Sequence, residues 1–480
     1  MSTREEPPAG WTKTTVGAVG RVQLGRQRSP KNHSGPHMRP YLRVANVFED
    51  RINLDDVMEM NFTPAEYEVF KLEPGDILLN EGQSLELVGR PAMYRGELPG
   101  ACFTNSLVRF QAGPLLDPKF ALYVFLGYLH TGRFQRIATN TVNIAHLGAG
   151  RFADMEFWLP PRSEQERIVA KADELLSDLD AGVASLKRAR ANLKRYRASV
   201  LKAAVEGRLT EEWRKKNPQA EDGQMLLDRI LRERREKWER DLIAGFAAKG
   251  KNSPKNWQSK YAEPPAPNTK GLPTLPFPWA SASVAQLGKV QLGRQRSPQH
   301  HTGTHMRPYL RVANVFEDRI DLTDVMAMNF TPDEFAIYEL HDGDILLNEG
   351  QSMELVGRPA MYRGELPGAC FTNSLIRFQP GTGVNHTFAL IVFLAYLKTR
   401  RFQHIASITV NLAHLSAGRF AEMTFPVPPR EEQREIVQIV EKRLSAIDVV
   451  EKRVDAELIR SKNLRRLILR QALSGTLKNT

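Results

Sequence analysis

Cysteine is almost absent from this chain: Cys102 and Cys370 are the only two among 480 residues. That excludes a disulfide framework or a thiolate metal site and suits a reducing compartment. Acidic residues are in deficit, 55 against 67 Lys and Arg, leaving a formal charge of +12. Such a surplus favours a polyanionic partner and says nothing about fold. Long apolar runs are also missing. The longest, at 120–129 and 388–397, are about ten residues, too short to cross a bilayer. Met1-Ser-Thr-Arg-Glu-Glu-Pro-Pro8 carries no apolar signal core, so a cytoplasmic protein is expected.

Catalytic motifs are lacking too. No Gly-rich phosphate loop precedes a helix, and no H-E-x-x-H or paired C-x-x-C occurs. Leu159-Pro-Pro-Arg162 and Val427-Pro-Pro-Arg430 lack the flanking Asn or Asp and aromatic of an amino-methyltransferase motif. Asp76 and Glu81 resemble a nuclease acid pair, but Gln83 stands where that pattern needs lysine. A turn ahead of a strand explains Gly75-Asp76 better. His33, His37, His146, His301, His305 and His414 lack acidic residues at ligand spacing and read as polar surface. No catalytic residue, metal or cofactor is assigned to this chain.

What the chain does have is itself, twice. Val22-Gln-Leu-Gly-Arg-Gln-Arg-Ser-Pro30 returns as Val290-Gln-Leu-Gly-Arg-Gln-Arg-Ser-Pro298, a shift of 290 − 22 = 268. The register holds without a gap over 22–111 and 290–379, with 17 differences in 90 positions, and 86–107 matches 354–375 completely. A period this long means duplicated domains, since solenoid repeats are far shorter.

Each copy opens with Pro-x-x-Trp (Pro8 to Trp11, Pro276 to Trp279), then a short strand and a polar basic loop at 25–39. Tyr41-Leu-Arg-Val-Ala-Asn-Val47 alternates as a half-buried strand does, and Gly75-Asp-Ile-Leu-Leu79 predicts a strand entered through a turn. A hairpin and a further strand are expected over 89–109, and helix at 120–129 and 143–152. From 164 to 206 apolar residues recur in steps of three and four, and the same holds from Ile436 to Ala472. That pattern predicts long helices, each with a seam for a partner. Thr210 is a plausible capping residue for a helical segment, 224–245 is charged and helical, and 249–278 reads as an extended linker. The fold class is therefore α+β. The expected divisions are a first domain (1–160), a long helix (161–208), a helical insert (209–248) and a linker (249–275). A second domain (276–428) and a second long helix (429–480) complete the chain.

The basic loops supply the candidate site. Arginine can hold a phosphate or give guanine two parallel hydrogen bonds, and Asn or Gln can pair likewise with adenine. The candidates in the first copy are Arg26, Arg28, Lys31, Arg39, Arg43, Asn80, Gln83, Ser84, Arg90 and Arg95. In the second they are Arg294, Arg296, Arg307, Arg311, Asn348, Gln351, Ser352, Arg358 and Arg363. Two competing readings are a coiled-coil adaptor with incidental basic loops, and a stand-alone nuclease or methyltransferase.

Several of these stretches carry a family likeness. Tyr41 to Val47, Gly75 to Leu79 and Asn105-Ser-Leu-Val-Arg109 are joined by Leu159-Pro-Pro-Arg-Ser-Glu-Gln-Glu-Arg-Ile-Val169 and Ala203-Ala-Val-Glu-Gly-Arg-Leu-Thr210. Their second-copy counterparts include Val427-Pro-Pro-Arg-Glu-Glu-Gln-Arg-Glu-Ile-Val437 and Gln471-Ala-Leu-Ser-Gly-Thr-Leu477. Over essentially its whole length the chain resembles a type I restriction–modification specificity subunit. The resemblance implies two target recognition domains, each followed by a long helix, the helices packed antiparallel as a spacer with a pseudo-two-fold. It implies a non-catalytic subunit bound to double-stranded DNA, two methyltransferase subunits that use S-adenosylmethionine, and restriction subunits that use ATP and magnesium. Usual members carry two different recognition domains and read asymmetric targets. Two equal domains instead predict an inverted-repeat target with a fixed gap.

Overall fold

The computed structural model describes residues 9–141, 144–218, 220–248, 250, 252–253, 255–409 and 412–477. The N-terminal stretch to Pro8, and with it the first proline of the repeat opening, lies outside them. The chain divides into two compact units: one holds the chain up to Ala189 and from Arg453 onward, the other Arg190–Lys452. Each is a mixed helix-and-strand body that includes part of both long helices.

In the first unit a four-stranded antiparallel sheet runs in the order Gly20–Leu24, Leu107–Ala112, Ile77–Asn80, Pro91–Met93. Both faces are covered. Ile77, Leu79, Val108 and Phe110 pack toward helix Pro118–His130, while Leu78, Ala92 and Leu107 face Tyr94 and Phe103. That is why Ile77–Asn80 reads as an unbroken buried run instead of an alternating one. A second sheet sets Met38–Leu42 parallel to Cys102–Phe103 and antiparallel to Met58–Asn61. The second unit repeats this order, with Gly288–Leu292, Leu375–Pro380, Ile345–Asn348 and Pro359–Met361 in its main sheet.

Three local expectations change. The strand from Tyr41 stops at Leu42, because Arg43 opens a 3-10 turn over Val44–Asn46 in which Asn46 Oδ1 accepts from the Arg43 N–H at 3.0 Å. No hairpin forms within 89–109: Pro91–Met93 pairs with Ile77–Asn80, and Cys102–Phe103 with Met38–Leu42. The helix expected at 143–152 begins outside the described residues; Ala145–His146 is strand and only Ala149–Ala153 is helical.

The long helices run Arg162–Val205 and Arg430–Leu473. Each follows a Pro-Pro pair, where a missing N–H costs nothing. The buried glutamine of the lead-in motif pins the start. Gln165 Oε1 accepts from Asp117 N at 2.7 Å, while its Nε2 donates to Leu115 O and Pro160 O. Gln433 does the same with Asn385, Gly383 and Pro428. Inside the first unit, Arg167 donates to Leu477 O and Arg465 pairs with Asp180. Inside the second, Arg197 pairs with Asp448 and Glu451, and Arg214 with Glu432. As numbers rise along one strand of each contact they fall along the other, so neighbouring helical segments run in opposite directions within each unit. Each domain seats its buried helix on the long helix of the other copy: a Cβ on Gly127 would fall 2.1 Å from Leu473 Cδ1, and helix His386–Lys398 shares a core with Val200, Leu201 and Ala204.

The insert forms helices Glu211–Lys216 and Gly223–Ala248. Thr210 precedes the first but makes no cap; its hydroxyl donates to Glu432 Oε1 at 2.6 Å. Among the described residues no helix is long and apolar enough to cross a membrane, and no group of three or more His, Cys, Asp or Glu could hold a metal.

Candidate nucleic-acid interface

The basic loop leaves strand Gly20–Leu24 through Gly25 and returns into Met38–Leu42. Gly25 has no alternative, since a Cβ there would sit 2.2 Å from the Thr104 carbonyl oxygen. Arg26 then anchors the loop from below. Its Nε donates to Glu66 Oε1 at 2.8 Å and its Nη1 to Asn61 O at 2.7 Å. Asn61 Oδ1 in turn accepts from His37 N at 2.8 Å, closing the far end. Arg294, Glu334, Asn329 and His305 repeat the set in the second unit. Glu66 is held below the usual carboxylate range: burial raises it, but the Thr63 N–H and the Arg26 guanidinium outweigh that.

On this anchored loop some candidate side chains are presented and others are spent. Arg28, Lys31 and Arg39 are exposed. Arg28 lies 5.6 Å from the Tyr41 ring centre and Arg39 4.5 Å from that of Tyr67. Arg296 over Tyr309 at 5.6 Å and Arg307 over Phe335 at 4.2 Å reproduce both platforms. An aromatic face orients a guanidinium without using its N–H donors. Those donors stay available to a phosphate or a base edge. Lys31 stands in the turn Pro30–Asn32, where the second copy has Gln299.

The remaining candidates, Ser84 and Ser352 apart, are engaged by other groups of the protein or buried. Arg43 pairs with Asp56, and Arg311 with Asp324. Arg95 reaches Asp50 at 2.7 Å and Arg363 reaches Asp318 at 2.8 Å. Arg90 donates to Val47 O and lies over Phe48, and Arg358 lies over Phe316. Asn80 and Asn348 are wholly buried at strand ends. Gln83 and Gln351 are half-buried on short strands, each accepting from the N–H of the following Ser84 or Ser352, whose side chains are exposed. Arg26 and Arg294 belong with this internal group.

The discarded chemistries also find their places. Asp76 sits buried against Arg109 at 3.4 Å, accepts from Gln111 at 2.9 Å and caps the Glu73 N–H. Burial pushes its carboxyl upward despite these partners. Glu81 faces His146 at 3.0 Å instead of Asp76. Cys102 and Cys370 are free and buried, their thiols pushed up to about 12. Residue-by-residue reading missed the aromatic supports. One signal was available: Tyr67 and Phe335 differ between copies yet both keep a ring.

Residues 286–458 match the family described as the type I restriction modification DNA specificity domain. The specificity subunit of the type I restriction enzyme EcoKI of Escherichia coli K12 is 24% identical over 98% of this chain and 90% of its own length. That of StySPI from Salmonella potsdam is 23% identical over 99% and 90%. A solved structure described as underlying complex assembly and conformational transition of the type I R-M system matches with a TM-score of 0.66 at 16% identity, over 98% of this chain and 99% of that one. The HsdS subunit from Thermoanaerobacter tengcongensis matches with a TM-score of 0.51 at 17% identity, over 98% and 99%. At these identities the structures speak for the fold alone; residues 286–458 match the specificity-domain family, and the curated relatives that span the chain are specificity subunits of type I restriction enzymes.

Proposed function

We propose that this chain selects the DNA sequence at which a type I complex acts, directing adenine methylation and restriction by partner subunits to a bipartite, inverted-repeat target. One observation carries the reading: each unit presents the same two aromatic-backed arginines, Arg28 and Arg39 or Arg296 and Arg307, on an equally anchored loop. Equal arginine platforms read equal bases, although Lys31 of one loop is Gln299 in the other. Opposite helix directions within each unit support opposite reading senses, hence a half-site, a gap and its reverse complement. The partners in this proposal are double-stranded DNA, two methyltransferase subunits binding S-adenosylmethionine, and restriction subunits using ATP and magnesium. This chain itself binds none of those cofactors.

Modified-base sequencing of host DNA, with and without the chain, tests this. A gapped, inverted methylated motif that vanishes on deletion is expected; a gapped but asymmetric motif overturns the claim that the copies read alike. Arg28→Ala with Arg296→Ala should weaken specific binding at least tenfold, since a good base contact is worth about 1–3 kcal/mol. Unchanged affinity would favour an adaptor. One heptad added to both long helices should lengthen the gap by about three base pairs.

A further inference from the structure

Subtracting 268 from residue numbers exposes one large difference between the domains. In the second unit, helix Gly223–Ala248 lies in a groove beside the edge strand Ala280–Ser283. Leu226 and Ile230 join a core with Leu287, Val384 and Val427. Arg234 donates to the carbonyl oxygens of Ala285 and, at 3.2 Å, Gly288. The fit is close: a Cβ on Gly383 would stand 3.2 Å from Leu226 Cδ1 and 3.3 Å from Ile230 Cγ1.

Among the described residues, nothing fills the same groove in the first unit. Gly17, Gly20, Gly113, Leu115, Leu116 and Leu159 line a cavity of about 650 Å³, and they match Ala285, Gly288, Gly381, Gly383, Val384 and Val427 position for position. The insert helix has no second copy in the sequence. Leu115 takes the place of Gly383, and it is 73% exposed. It is not a loose residue, because buried Gln165 holds its carbonyl at 3.0 Å. A firmly held, solvent-facing leucine beside a glycine-lined hollow has the form of a docking knob.

We infer that this groove of the first unit docks an amphipathic helix from a different protein, one with small residues facing Leu115 and a basic residue about one turn further on. The basic residue would donate to the carbonyls of Gly17 and Gly20, as Arg234 does at their counterparts. Leu115 excludes the chain's own insert helix, whose Leu226 and Ile230 need the space a glycine leaves. A second copy therefore does not fit. The neighbouring strand Thr12–Thr15 is polar and exposed, so the partner seats on the Leu115 end and leaves that strand in water.

Labelled peptides of residues 222–241 test the inference on the full chain. The peptide carrying Leu226→Ala and Ile230→Ala should bind the unaltered chain at least tenfold more tightly than the parent peptide. Leu115→Gly should reverse that preference, Leu115→Asp should abolish both, and Arg234→Ala in the peptide should weaken binding about tenfold. No binding by either peptide, or binding indifferent to residue 115, overturns the site. Self-association of the chain that Leu115→Asp disperses would make the occupant a second copy and overturn the partner assignment.

Discussion

Strand Thr12–Thr15 is exposed at three of its four positions, whereas Ala280–Ser283, the same strand of the other copy, is buried at three. A few residues away the domains repeat their anchoring contacts: Arg26 holds Glu66 as Arg294 holds Glu334, and Arg109 reaches Asp76 as Arg377 reaches Asp344. The anchors of the basic loops are the same and the backs of the domains are not. The difference follows from the insert, which covers only one copy. Threonine and lysine remain where water is the neighbour; alanine and serine stand where a helix backbone presses, with Gly223 so close that a Cβ would lie 2.2 Å from Val427 O. One fold has thus been fitted to two surroundings without disturbing the anchors of its basic loop.

The sharpest way to break this comparison is at a buried charge. Glu432 is fully buried and held by Arg214 at 2.8 Å, while its counterpart Glu164 is partly exposed and meets Arg167 at 3.7 Å. Arg214→Ala should cost about 3–5 kcal/mol by stranding the buried carboxylate, and Arg167→Ala less than about 1 kcal/mol. Urea denaturation reads both; equal losses would mean the insert does not integrate the second unit. Next comes packing. Leu226→Ala should cost about 2–5 kcal/mol in the same measurement, and Leu115→Ala within about 0.5 kcal/mol, as for an exposed residue.

The smallest effect concerns the shared face. Glu66 and Glu334 both have lowered carboxyl pKa values, burial opposing and the threonine N–H and arginine prevailing. A lowered acid contributes stability that is complete above its ordinary value of 4.5 and is lost as pH falls through the lower folded value. Glu66→Gln and Glu334→Gln should each flatten the acid limb of stability below about pH 4.5 to the same degree. A clear inequality between the two would show that the anchors are not equivalent.

Part of the candidate site was legible and part was not. Arg28 and Arg39 could be picked out because they sit in a polar loop with few apolar neighbours. Nothing local separated them from Arg26, Arg43 or Arg95. The acids that claim those three, Glu66, Asp56 and Asp50, lie 40, 13 and 45 residues away in the chain. Only folding brings them within bonding distance. The missing hairpin at 89–109 has the same origin, since strands Pro91–Met93 and Cys102–Phe103 each found a better edge elsewhere.

The duplication, the long helices, the absence of a catalytic motif and the basic loops are properties of residue order, set by periodicity and identity at a fixed shift. They were readable without coordinates because each is local or repeats. Which arginines stay free, which aromatic ring backs them, and which of two equal grooves is filled were decided by tertiary structure alone. Those outcomes depend on partners distant in sequence, and on a single Leu115 or Gly383 whose significance exists only where a helix does or does not arrive.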